Sequence, residues 1–313
     1  MRRQPALSTA LLAVAVILVM AAFRARADQP PAYAFQAEVT EVRLAFVATD
    51  QHNRDVPTIT PVDIAVVDDG VVIRRFRSLS RYPQLNLDVL VLVDASESLA
   101  RQFSQEIAQT TRLLREARWE PDDAVSIMSF GGLQPGLLCL RNCRDLPPAA
   151  WISKIHAQGQ TPLFDAVIRG VDFLSKDRNP NYRPVLVILS DGDDTISAHS
   201  VRDAVVAAQR AEVPIYTFNT GDLKNVAGGN ILRGLAALTG GLNLGGTSGA
   251  SSDLASVVED LRNAYVLTYD LPNHVEGLHS VSILPTRNSN LRLRSRQAYF
   301  YAGEHASAQR GWK

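Results

Sequence analysis

Three almost unbroken apolar runs, residues 87–93, 184–189 and 213–218, constrain this chain more than any other feature. Each is short enough for a strand, and a strand without polar alternation has no face to give to water. Between the runs lie helical patterns. Leu99, Phe103, Ile107 and Leu114 recur near helical spacing, as do Leu163, Ala166, Val167 and Val171. Further helices are predicted over 201–210, 231–238 and 254–264. Strands alternating with helices require a parallel sheet with helices on both faces, an α/β Rossmann-like fold.

The flanks read differently. Residues 39–47 alternate apolar and polar, as a half-buried strand does. Ile64 and Val66 lie on a second alternating run that turns at Asp69-Gly70 and returns through Val71 to Phe76. After 265–269 the pattern is β again, and 279–284 with 291–301 predict a hairpin around 286–290. An isolated two-stranded hairpin is marginal in water, so neither flank is expected to fold alone. The expectation is one small β-sandwich made from both flanks. Its first half is 36–80 and its second half 275–302, with a domain of residues 85–270 inserted between them and a loose polar tail at 303–313.

Arg2 and Arg3, the weakly polar-to-apolar run 6–23 and the small-x-small triplet 25–27 predict an export signal over residues 1–27. The run also has nearly the length of a membrane anchor, which would tether the chain by its N-terminus alone. Either way the remainder is expected outside the cytoplasm: periplasmic, cell-surface or secreted. Lys plus Arg and Asp plus Glu are both 32, so no global field draws the chain to nucleic acid or an anionic membrane. In an oxidising compartment the two cysteines, Cys139 and Cys143, predict a disulfide that shapes one loop.

Three polar clusters fall where open α/β sheets place ligands, at the carboxyl ends of strands and the starts of helices. Asp94, Ser96 and Ser98 follow the first run in DASES, Thr161 opens a helix in GQTPLFDA, and Asp191 follows the second run in SDGDD. All five side chains offer oxygen, the donor set of a hard divalent cation. Taken singly, each cluster also reads as a helix cap; the conjunction of three in this order favours the metal.

These segments resemble the metal-ion-dependent adhesion site of von Willebrand factor A domains, over about residues 85–270. The resemblance implies that Ser96, Ser98 and Thr161 meet a Mg²⁺ (or Mn²⁺ or Ca²⁺) directly or through water. Asp94 and Asp191 would meet it chiefly through water, and Asp165 and Asp194 would support the ligands from behind. ATDQHNRDV, VDIAVVDDG, YVLTYDLP and RQAYFYA resemble the flanks of a VWFA-related family abundant in acidobacteria and other environmental bacteria. Glu97 departs from the motif, which usually has Gly there.

The implied function is metal-dependent recognition of a protein partner presenting an Asp or Glu, without catalysis. Loops around the site, the Cys139–Cys143 loop among them, would set specificity. A structural or assembly role in an envelope complex, including self-association, is the alternative, and a metal-dependent hydrolase a weaker one. The six histidines form no HExxH or comparable spacing and each reads as a surface residue, and the serines sit in no GxSxG elbow.

Overall fold

The computed structural model describes residues 41–301 apart from 83, 97–110, 112–114, 116–117, 132–135, 156–158, 177–178, 222–223 and 246–253. The expected export segment and loose tail therefore lie outside the described residues, as does most of the helix expected after Leu99. Among the described residues no helix is long and apolar enough to cross a membrane.

The apolar runs become adjacent parallel strands. They are β5 (Asn86–Asp94), β8 (Tyr182–Ser190) and β9 (Ile215–Asn219), in a six-stranded sheet with β6 (Ala124–Phe130), β7 (Gly136–Cys139) and β10 (Asn243–Gly245). The order is β10-β9-β8-β5-β6-β7, and only the β6–β7 pair is antiparallel. Along β5, Leu87, Val89, Val91 and Val93 enter one core and Leu90 and Leu92 the other, because successive strand side chains point to opposite faces. The second core is closed by α1 (Leu163–Ser175), α2 (Val201–Arg210) and α3 (Val226–Thr239). Val257, Val258 and Leu261 of α4 (Leu254–Arg262) close the first.

Strand β6 carries no run that the sequence pattern singles out. Ser126 and Ser129 interrupt it, yet Ser126 is fully buried and its hydroxyl accepts the Arg141 N–H at 2.9 Å. The disulfide Cys139–Cys143 is present, and its place corrects the expectation that its loop borders the candidate site. Strand β7 runs antiparallel to β6, so the chain after Cys139 travels toward the amino ends of the parallel strands, where Asn142 bridges Val125. That is about 16 Å of strand away from Phe130, which pairs with Asp94. Cys143 is fully buried in the core with Val91 and Val125.

The flanks build two further antiparallel sheets. One has the order β13-β1-β11-β4, from β13 (Arg292–Ser295), β1 (Glu41–Thr49), β11 (Tyr265–Asp270) and β4 (Ser78–Arg81). The other is β14-β12-β2-β3, from β14 (Ala298–Tyr301), β12 (Gly277–Pro285), β2 (Ile64–Asp68) and β3 (Val71–Ile73). Their inner faces share a core in which Leu44, Phe46, Ile64 and Val66 pack with Val281, Ile283, Leu291 and the half-buried Leu293. The β2–β3 hairpin turns at Asp69 and Gly70, whose φ angles of 44° and 82° are both left-handed, as a type I′ turn requires.

Two details differ from the sequence reading. Residues 279–301 do not form a hairpin: β12 pairs with β2 and β14, while β13 crosses to the other sheet and pairs with β1. The crossing lets Leu291 and Leu293 enter the core from one side and Val281 and Ile283 from the other. Strand β11, expected within the inserted domain, lies between β1 and β4.

Buried Asp68 ties the two sheets together. Its Oδ2 accepts the hydroxyls of Tyr269 on one sheet and Tyr299 on the other, at 2.7 and 2.8 Å. Burial, then the hydrogen bond to Asp68, pushes both phenols above the ordinary tyrosine range. His279 is likewise buried, not a surface histidine. Its Nδ1 meets Asp69 Oδ2 and its Nε2 donates to the Val275 carbonyl, each at 2.7 Å.

Two outcomes follow from this arrangement. Replacing Cys139 and Cys143 together by Ser should lower stability by about 2 kcal/mol, the entropy of so small a ring, in urea unfolding, and leave the Asp94 end of the sheet unaltered. Deleting residues 36–80 removes the partners of β11, β12 and β13, so limited proteolysis should cut first within 265–301. Equal protection in the full and shortened chains would show that the two flanks do not share a core.

Candidate metal centre

Strands β5 and β8 are parallel neighbours, and the chain leaves β5 toward β6 on one side while β8 lies on the other. The crevice outside their carboxyl ends is where such a sheet can hold a ligand. Asp94 ends β5 and has no solvent exposure. Its Oδ1 accepts the Ser96 N–H at 3.0 Å, and its Oδ2 accepts the Ser190 hydroxyl, from the last residue of β8, at 2.7 Å. Ser96 is also buried.

Asp191 follows Ser190 and is nearly buried, with its Oδ1 accepting the Asp193 N–H at 3.1 Å. Its backbone is wedged against the start of α3. A Cβ added at Gly228 would stand 2.2 Å from the Asp191 carbonyl oxygen, so no larger residue fits without moving that loop. Asn225 holds the same loop, donating to Asp193 Oδ1 at 2.9 Å while its own Oδ1 caps α3 through Gly228 N–H.

Thr161 is buried and clasped to the loop after β8 in both directions. Its N–H donates to Thr195 Oγ1, and Thr195 N–H donates to the Thr161 carbonyl, each at 2.8 Å. Pro162 stands at the N-cap of helix α1 and supplies no side-chain cap. The loop after β8 caps it instead: Phe164 N–H donates to Asp194 Oδ1 and to Ser197 Oγ, and Asp165 N–H donates to Ser197 Oγ. One loop thus positions Asp191 and Thr161 together.

The electrostatics show what this crevice lacks. Burial pushes the Asp94 carboxyl up to about 6, against the hydrogen bonds from Ser190 and Ser96, and the charge of Asp191 pushes it further the same way. Asp191 is raised as well, by burial first, with Asp193 adding to the repulsion against its own backbone hydrogen bond. Among the described residues no Lys, Arg or His ion-pairs with either carboxylate. Two buried carboxylates with hydroxyls around them and no counter-charge among the described residues fit a hard divalent cation. Both oxygens of Asp94 are already hydrogen-bonded, which suits ligation through water.

Of the residues expected at the site, Asp94, Ser96 and Asp191 meet at the ends of β5 and β8, and Thr161 is held to the same loop. Ser98 and Glu97 lie outside the described residues. Asp194 supports Thr161 through the α1 cap. Asp165 instead ties residues 198–199 to α1, accepting from Ala198 N–H and from both the backbone and Nδ1 of His199. Burial pushes its carboxyl up, but those bonds outweigh it and hold it below the usual range. Ser190, Thr195 and Asn225 had no assigned role in the sequence. Ser190 was legible as the first residue of SDGDD, whereas Asn225 stands 34 residues from Asp191 and left no local signal.

A separate group of carboxylates and imidazole, close enough in space for one ion, is formed by Asp68, Asp69 and His279 in the flank sheets. Both ring nitrogens of His279 already have protein partners there.

Residues 88–243 match the family model described as von Willebrand factor type A domain. No curated protein matches the chain. Solved structures similar to it include an aerotolerance-related membrane protein from Bacteroides fragilis, carrying multiple mutations to serines, at 11% identity and TM-score 0.42, covering 56% of this chain and 98% of that one. Proximal thread matrix protein 1 from the mussel byssus is similar at 13% identity and TM-score 0.43, covering 58% and 50%. The conserved hypothetical protein BatB from Bacteroides thetaiotaomicron is similar at 14% identity and TM-score 0.41, covering 56% and 97%.

The packing of α3 against Asp191 is testable with two glycines of that helix. Gly228→Ala should cost about 1–3 kcal/mol by forcing the Asp191 loop away. Gly234→Ala meets nothing within 4 Å and should be stabilising by up to about 1 kcal/mol. Chemical unfolding of both variants measures the contrast, and a neutral Gly228→Ala would refute the wedge.

Proposed function

We propose that this von Willebrand factor type A domain protein is an exported, non-catalytic binding module whose Asp94, Ser96, Ser98, Thr161 and Asp191 hold a Mg²⁺ ion. Mn²⁺ or Ca²⁺ would serve the same oxygen donors. A bound divalent cation supplies a hard charge on which an Asp or Glu of a protein partner can settle. The rest is done by the chain. Ser190 and the Ser96 N–H fix the Asp94 carboxylate, the α3 wedge fixes Asp191, and the Thr195 clasp fixes Thr161.

The observation that carries this reading is the pair of raised, buried carboxylates at the ends of β5 and β8, with no basic ion-pair partner among the described residues. Domains of this family commonly bind proteins and often hold divalent cations, which agrees with it. The export pattern of residues 1–27 supports a partner in the envelope or beyond it.

Isothermal titration with Mg²⁺ should show one saturable site. Asp94→Ala and Thr161→Ala should each abolish it while circular dichroism stays native, because both residues lie at a sheet end and not in the apolar cores. Unchanged Mg²⁺ affinity in both variants would sink the assignment. A pull-down from envelope extract should retain a partner with Mg²⁺ and lose it with chelator. Capture that ignores the chelator would place recognition elsewhere on the surface.

A further inference from the structure

Four arginines line one cavity at the other end of the central sheet. Arg183 stands near the start of β8, about 23 Å of strand from Ser190. Arg43 comes from β1, Arg294 from β13, and Arg296 from the link between β13 and β14. Flank sheet and central domain therefore both contribute to the cavity.

Clustered guanidinium groups repel one another, so something must compensate. Arg43 lies 3.7 Å from Glu212, and Arg294 pairs with Asp260 and donates to the Gly240 carbonyl. Arg183 and Arg296 ion-pair with no carboxylate among the described residues. The hydrogen bonds seen for them run to backbone, to the Leu261 carbonyl at 2.6 Å and the Arg43 carbonyl at 2.8 Å. Arg296 Nε is buried without a hydrogen-bond partner. Tyr82 lies under two of the four, with the guanidinium carbons of Arg183 and Arg43 at 4.0 and 5.2 Å from its ring centre. Stacking of this kind holds a guanidinium plane in place and leaves its edge N–H donors free. Burial lowers the basicity of Arg183 and Arg296 first; at Arg296 the charge of Glu212 works against it, and Arg43 lowers both further.

We infer that this cavity binds a small, doubly charged oxyanion of the phosphate class, either as the free ion or as the terminal group of a phosphomonoester. The charge fits, because two of the guanidinium groups form no ion pair with a carboxylate among the described residues. The size fits as well. The cavity volume is about 70 Å³, where one buried water needs on the order of 10–15 Å³. That is room for the few heavy atoms of a phosphate. The chemistry fits last: fork-shaped N–H donors recognise tetrahedral oxyanions better than point charges do. Glu212, with a side chain 41% exposed beside Arg43, would act as the anionic residue that an entering ligand must outcompete.

The test is calorimetric titration of the whole exported chain with inorganic phosphate at constant ionic strength, in chelator so that no metal site contributes. One saturable site is expected. Arg183→Gln should weaken it by about tenfold or more, since a charged hydrogen-bond donor is lost. Glu212→Gln should tighten it by about threefold, because an exposed competing charge is removed. The second variant keeps the idea falsifiable if the first fails to fold, since a damaged fold does not gain affinity. Titration with glycerol 3-phosphate separates the two sources. Tighter binding of the ester assigns the cavity to the tip of a larger molecule, and tighter binding of the inorganic ion assigns it to free phosphate. No saturable phosphate binding by the unaltered chain, or an affinity that Glu212→Gln leaves unchanged, would overturn the inference.

Discussion

Strand β5 has no solvent face over its last six residues, and this constraint propagates through the whole domain. Val89 to Asp94 are all buried, so apolar layers must cover the sheet above and below. The chain supplies them as helices, which in turn makes the neighbours β6 and β8 parallel. A strand buried in this way can present polar groups only where it leaves the sheet. Asp94 is that residue, and Ser190 ends the neighbouring strand under the same constraint. The hydrogen bond between them is a consequence of two parallel strands stopping at the same level.

Polar groups gathered at such an edge are costly until something compensates them. At the carboxyl end of the sheet the groups without an ion-pair partner among the described residues are carboxylates, both raised by burial first, Asp94 further by Asp191 and Asp191 further by Asp193. At the opposite end they are guanidinium groups. The two ends of one sheet thus carry opposite unmet charge, while the formal charge of the entire chain is zero. Local asymmetry, invisible in the composition, is what marks both places as candidate binding sites.

The flank sheets depend on a different interaction. Their halves are separated by the inserted domain, and Asp68 joins them through hydroxyls that arrive from β11 and β14. Neither tyrosine lies within 200 residues of Asp68, so the pairing exists only after the intervening domain has closed. The same closure gathers Arg43, Arg183, Arg294 and Arg296 into one cavity.

Much of this was written in local sequence. Apolar runs fixed the positions of β5, β8 and β9 because a strand buried on both faces must be continuous in apolar residues. The DASES, GQTPLFDA and SDGDD segments marked the candidate metal centre because each stands where a strand ends or a helix begins. The Asp69-Gly70 turn announced its hairpin through residues that tolerate left-handed backbone. Strand β6 escaped notice because the burial of Ser126 rests on a partner, Arg141, outside its own segment. The crossing of β13 to the opposite sheet, the position of the disulfide, the Thr195 clasp and the arginine cavity were decided by tertiary structure alone. A segment records which of its own faces is buried. Which distant segment it meets there is settled by packing between elements and by the hydrogen bonds and charges that packing brings together.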